Sequence, residues 1–329
     1  MLAAPPFRPP VWLRGQHLQS ILPSFPGRRT LVNRRALPMR RAAIEQLIDC
    51  GDGVRLQGFL SHSPHSLDGR PRQLVVLLHG WEGSAESLYI LSLAQFLFAA
   101  GYDVFRLNLR DHGDTHHLNR ELFHSCRLPE VVGAVRSLHT QFPTHELSLV
   151  GFSLGGNFML RAAVEAPGQR IKLRRVVAIS PVLNPAMSLA ALDSGLALYR
   201  WYFVRKWTRS LRRKQRAWPG QFDFDELLSL NALQPMTRAL VARHTDFPDI
   251  ESYFRGYSIT GERLSRLTVP STLLMALDDP IIPASDLAYI ARPPALQVLT
   301  TPTGGHCGFF ESLTAPGWIE RMVLAQLRA

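Results

Sequence analysis

The stretch Val150-Gly151-Phe152-Ser153-Leu154-Gly155-Gly156-Asn157 decides how the rest of the chain is read. The apolar run Glu146 to Val150 precedes it and Phe158-Met159-Leu160-Arg161-Ala162-Ala163 follows it, so it reads as strand, abrupt turn and helix with a serine at the turn. Glycines two residues to either side of that serine let the backbone turn sharply and let strand and helix approach without a side-chain clash. A serine so placed is held out where a substrate reaches it, which is the setting of a nucleophile elbow. The competing reading is a glycine-rich turn whose serine only caps a helix. The partners that a nucleophilic serine requires decide between the two.

A serine hydroxyl is a poor nucleophile until a base takes its proton, and the base needs a third group to fix its tautomer. Behind an elbow of this kind the acid follows a late strand and the histidine follows the last one. Both slots are filled. Leu273-Leu274-Met275-Ala276-Leu277 runs into Asp278-Asp279-Pro280-Ile281-Ile282-Pro283, and the loop beyond Leu299 contains Gly304-Gly305-His306-Cys307-Gly308. Asp279 is favoured over Asp278 as the acid because one residue and then two apolar ones follow it. A tetrahedral intermediate also needs N–H donors for its oxyanion. The N–H of Leu154, at a helix N-terminus, and the N–H of Trp81, in His79-Gly80-Trp81-Glu82-Gly83, are the candidates. His79 precedes the serine and ends a strand, so it reads as structural.

Working outward, residues 1–42 form a proline- and arginine-rich arm or short helical preface without a clean period. Ala43 to Asp49 and Val54 to Ser61 alternate around Cys50-Gly51-Asp52-Gly53, a hairpin signal. The run Gln73 to Leu78 suits a strand buried on both faces. Helical spacing over Ser87 to Ala100, a strand at Asp103 to Leu107, a helix at Leu128 to Thr140, the elbow, and a strand at Arg175 to Ile179 continue a strand–helix alternation. The expected fold is α/β: a doubly wound, mostly parallel sheet with an antiparallel N-terminal hairpin. The alternation stops over 181–269, read as a mainly helical lid inserted between two parts of the core, 43–180 and 270–329. In the second part, a short helix near Ala284 to Ile290, a strand at Leu296 to Thr301 and a helix at Trp318 to Leu327 are expected.

Composition narrows the function classes. The 329 residues carry a net charge of +11, almost wholly from arginine, since lysine occurs only at 172, 206 and 214. Cys50, Cys126 and Cys307 are odd in number and widely spaced, which indicates neither a disulfide framework nor a thiolate zinc site. The opening MLAAPPFRPPVWLRG shows no export-signal pattern and no run approaches eighteen apolar residues, so a cytoplasmic protein is expected. Asp111-His112-Gly113-Asp114-Thr115-His116-His117, with His124, is dense in metal-binding types, but its spacing matches no recognised ligand set. It reads as a polar loop beside the active-site crevice, with no metal and no cofactor. Tyr199 to Trp218 carries eight cations and no acid, and Tyr199, Phe203, Trp207 and Leu211 recur every fourth residue. A lid helix with its aromatics over the substrate pocket is the first reading and peripheral contact with anionic membrane the second. No reader motif accompanies the charge, which speaks against nucleic acid.

The chain resembles the YheT-like branch of the α/β-hydrolases, which also holds the plant EMB8-type proteins, the ABHD1 and ABHD3 lipases and the yeast medium-chain alcohol acyltransferases. The matching pieces are His17-Leu18-Gln19-Ser20-Ile21-Leu22-Pro23, His79-Gly80-Trp81-Glu82-Gly83, the elbow, Asp278-Asp279-Pro280 and Gly304-Gly305-His306-Cys307-Gly308-Phe309. The first of these belongs to no general hydrolase chemistry and is the most specific. The resemblance implies the α/β-hydrolase fold and a serine carboxylesterase acting on short- to medium-chain acyl esters or lipids through Ser153, Asp279 and His306. Acyl transfer to an alcohol is the alternative with the same triad. The Asp111-His112-Gly113 turn departs from many relatives.

Overall fold

Gln73–Leu78 is buried at every position, the condition of a strand enclosed by layers on both sides. The computed structural model describes residues 6–65, 71–314 and 316–329, so the first five residues of the arm lie outside it. Among the described residues eight strands form one sheet: β1 (Ala43–Asp49), β2 (Arg55–Ser61), β3 (Gln73–Leu78), β4 (Asp103–Leu107), β5 (Glu146–Phe152), β6 (Leu173–Ile179), β7 (Ser271–Ala276) and β8 (Leu296–Thr301). Their order is β1-β2-β4-β3-β5-β6-β7-β8. The first two pairings in that order are antiparallel and the other five parallel.

Helices α1 (Gln16–Ile21) and α2 (Arg29–Arg41) precede the sheet, and α3 (Leu88–Ala99), α4 (Leu128–Gln141) and α5 (Leu154–Glu165) follow β3, β4 and β5. Between β6 and β7 run α6 (Pro185–Ser194), α7 (Ala197–Ala217), α8 (Asp225–Ser229), α9 (Leu233–His244) and α10 (Ile250–Tyr257), and α11 (Trp318–Arg328) closes the chain. Side chains of β3 alternate between two cores. Leu74, Val76 and Leu78 join α4, α5 and the helical insertion, while Val75 and Leu77 join α2, α3 and α11. The sheet is therefore doubly wound, and every strand–helix loop that matters for chemistry emerges at one edge.

Three local readings shift. The elbow strand runs on to Phe152, and the short helix expected after Pro283 is of the 3₁₀ kind, Ala284–Tyr289. Part of the preface is a full helix: Val32, Ala36 and Met39, at i, i+4 and i+7, are buried in α2 against the sheet. Paired arginines at 34–35 and 40–41 mask that stripe in the sequence.

Candidate active site

The carboxyl ends of the parallel strands converge where backbone strain is concentrated. Eight described non-glycine residues have positive φ, and all but Asp52 and Arg170 lie in loops after these strands: Glu82, Asp111, Ser153, Ser180, Cys307 and Phe309. Such conformations cost on the order of 1–3 kcal/mol each and persist where packing dictates them. Ser153 sits at φ 53°, ψ −120° between β5 and α5. The glycines around it are sterically required. A Cβ at Gly151 would lie 2.4 Å from the carbonyl of Gly155, and one at Gly155 would lie 2.4 Å from the carbonyl oxygen of Leu78.

Residues from three loops meet at Ser153. His306 Nε2 lies 3.0 Å from Ser153 Oγ, and His306 Nδ1 donates to Asp279 Oδ2 at 2.8 Å. The other oxygen of Asp279 accepts the N–H groups of Ile281 and Ile282, both at 2.9 Å. The Asp279 side chain is fully buried and that of His306 nearly so. Burial acts to lower the His306 pKa, but the adjacent Asp279 carboxylate and Cys307 act the other way and prevail, holding it well above the usual 6.5. Asp278 does not reach the ring. Its carboxylate accepts the N–H of Gly305 at 2.8 Å, bracing the histidine loop.

That loop has a second brace, which the residue-level reading assigned no task. Ser20 Oγ in α1 accepts the backbone N–H of His306 at 2.8 Å. Gln19, completely buried, donates to the carbonyls of Leu13 and Phe310 and accepts the N–H of Phe310. Close packing of α1 leaves no room for side chains at the loop's glycines: Cβ atoms at Gly305 and Gly308 would each come within 2.4 Å of an α1 carbonyl.

A model of the alpha/beta hydrolase fold family matches residues 73–313. The chain belongs to that family. It is 26% identical to YheT of Escherichia coli over 93% of this chain and 88% of that protein. It is 22% identical to phospholipase ABHD3 of Bos taurus over 93% of this chain and 74% of the relative. The likeness to YheT and ABHD3 implied by the motifs is thus borne out. Among solved structures, an esterase of Pyrococcus furiosus superimposes with a TM-score of 0.54 at 17% identity, covering 87% of this chain and 89% of its own, a likeness of fold. The family and the relatives named as an esterase and a phospholipase support a hydrolase.

The histidines near the hydrolase's first loops are braces. His79 Nδ1 donates to the Gly80 carbonyl at 2.7 Å and its Nε2 accepts the N–H of Leu109. His112 Nδ1 donates to Arg110 O, and its Nε2 accepts from Glu82 N–H at 3.1 Å, in the Trp81 loop. Burial drives the His79 pKa well below 6.5 and that of His112 to about 4, so both rings are neutral. Asp111 faces the insertion: Lys214 of α7 meets its carboxylate at 2.9 Å and also donates to the carbonyls of His116, Asn119 and Glu121. Lys214, one of the eight cations of α7, therefore does not face solvent. It is buried because the loop supplies one carboxylate and three carbonyls to its ammonium group.

Above Ser153 lies a cavity of about 610 Å³. Its floor is Gly80, Ser153, Leu154 and His306, its walls are largely apolar, including Phe123, Leu192 and Leu240, and its roof comes from α7. Trp81 stacks on Phe203 of that helix with ring centroids 5.4 Å apart and meets Trp207 edge-on. Asn157, the last residue of the elbow motif, donates to the carbonyls of Val182 and Tyr257, both at 2.8 Å. One side chain on α5 thereby ties the start of the insertion to the end of α10 beside the serine.

Proposed function

We propose that this hydrolase is a serine carboxylesterase that cleaves short- to medium-chain acyl esters through an acyl-enzyme on Ser153. The observation that carries the reading is the line of hydrogen bonds from Ser153 Oγ through the His306 ring to Asp279, at 3.0 and 2.8 Å. Ser153 Oγ attacks the ester carbonyl carbon as His306 Nε2 takes its proton, while Asp279 holds the tautomer and the ring. The N–H groups of Trp81 and Leu154 receive the oxyanion. Collapse of the tetrahedral intermediate expels the alcohol, which leaves with the proton from His306. Water, deprotonated by the same ring, then attacks the acyl-serine and releases the acid.

In this reading residues 43–180 and 270–329 are the catalytic core, 181–269 the lid and 1–42 an arm bordering the cavity. Apolar walls suit an acyl chain, as does kinship with a protein named as a phospholipase. Replacing Ser153 by alanine should lower hydrolysis of p-nitrophenyl butyrate by at least about 10⁴-fold. It should also abolish labelling by a fluorophosphonate probe, while the folded state is retained. Wild-type rates in the alanine variant would refute the assignment. A series of p-nitrophenyl esters of increasing acyl length should peak at short to medium chains.

A further inference from the structure

The mouth of the cavity lies between two segments of one charge sign. Residues 1–44 contain eight arginines, residues 194–222 contain six arginines and two lysines, and neither segment holds an aspartate or a glutamate. The two segments meet: His17 Nδ1 lies 3.0 Å from the hydroxyl of Tyr199, and Phe25 lines the same cavity as Leu198, Trp201, Arg205 and Arg209. Phe25, Leu198 and Trp201 are nevertheless 48%, 45% and 58% exposed. A side chain that both lines a cavity and faces solvent stands on its rim.

The cations of α7 are sorted by face. Lys206 donates to the Glu82 carbonyl and Lys214 pairs with Asp111, both toward the core, while Arg213 pairs with the exposed Asp114. Trp201, Arg205, Arg209, Arg212 and Arg216 recur every third or fourth residue and are exposed. Among the described residues no carboxylate pairs with these four arginines; the ion pairs of α7 are those of Arg213 and Lys214. An exposed tryptophan, leucine and phenylalanine backed by unpaired arginines is the composition of a surface seated at the headgroup level of a bilayer. Among the described residues no helix is long and apolar enough to cross a membrane, so the contact is peripheral.

We propose that this rim docks on anionic phospholipid bilayers, with the aromatic and aliphatic side chains in the headgroup layer and the Arg205 to Arg216 stripe on lipid phosphates. The cavity mouth then opens onto the lipid, and an acyl ester passes to Ser153 without crossing bulk water. The purpose of the surface rests on the ester-hydrolase reading; the binding itself does not.

The test is co-sedimentation of the full chain with vesicles of phosphatidylcholine alone or of equal parts phosphatidylcholine and phosphatidylglycerol. The protein should pellet with the mixed vesicles at about 0.1 M salt and largely dissociate at about 1 M, where the screening length drops from roughly 10 Å to 3 Å. Arg212→Glu with Arg216→Glu should lower partitioning at least about tenfold, and Trp201→Ser should lower it even at low salt. Ser153→Ala should sediment as wild type does. Equal binding to both vesicle types, or unchanged binding by the arginine variant, would overturn the proposal, as would equal retention on a random DNA duplex. Hydrolysis of a soluble ester without sedimentation removes the surface alone; sedimentation without hydrolysis removes only the catalytic reading.

Discussion

In the proposed triad the His306 ring sets the expected pH dependence. Its pKa lies above 6.5 because the Asp279 carboxylate and Cys307 outweigh the effect of burial, and only the neutral ring accepts a proton from Ser153. The free-enzyme kcat/KM should therefore rise with pH through a limb lying above the usual imidazole range. Asp279→Asn should shift that limb downward, since the countercharge is gone, and lower kcat by about 10⁴ through loss of the correct tautomer. A limb that stays in place would remove Asp279 as the cause. The same raised pKa bears on stability: the imidazolium–carboxylate pair stabilises the fold fully below the unfolded-state value and loses its contribution as pH rises through the folded one. The preference for Asp279 over Asp278 in the proposed triad has a physical counterpart in the turn that follows it. The N–H groups of Ile281 and Ile282 close onto Asp279 Oδ1, and that turn is what an acid followed by a proline and two apolar residues encodes. The task of Asp278, holding the Gly305 N–H, depends on a loop 27 residues away and leaves no local trace.

Among the elements, α1 most exceeds what the residues alone conveyed. Its motif is specific, yet its contacts span nearly the whole chain, 286 residues from Ser20 to His306 and 291 from Gln19 to Phe310. No periodicity encodes a contact of that separation. The two residues hold different things. Ser20 positions the His306 backbone, so Ser20→Ala should lower kcat several-fold with KM nearly unchanged, and Ser20→Thr, which keeps a hydroxyl, should restore most of the rate. Equal losses in both variants would mark a packing role instead. Gln19→Ala would leave a buried N–H and two carbonyls without their partner, at about 1–3 kcal/mol for each unsatisfied group, and thermal unfolding should drop by several degrees. By contrast α7 was largely legible, because an aromatic every fourth residue demands a helix with one buried side. Only the burial of Lys214 escaped, since a lysine among arginines looks like solvent-facing charge until the loop that receives it is folded.

For the whole molecule, the question is how 181–269 stays registered over a sheet into which it contributes no strand. Apolar packing of α7 and α9 on the core does much of this, but packing tolerates sliding, whereas polar latches do not. Two fix the register. Asn157 gathers the start of the insertion and the end of α10 onto α5, and Lys214 plugs the ring of carbonyls around Asp111, with both side chains nearly inaccessible. Removing one member of a buried ion pair strands the other, at about 3–5 kcal/mol, while replacing both by apolar groups is often far milder. Lys214→Met should therefore destabilise the chain in urea by about that amount, and Asp111→Leu with Lys214→Met should cost clearly less than the sum of the single variants. Hydrogen exchange should localise the effect: in Lys214→Met the amides of α7 and of residues 111–121 should lose protection well before those of β3 and β5. Uniform loss across the sheet would mean that the insertion and core unfold as one unit, and the latch would then be a feature of global stability rather than of lid registration.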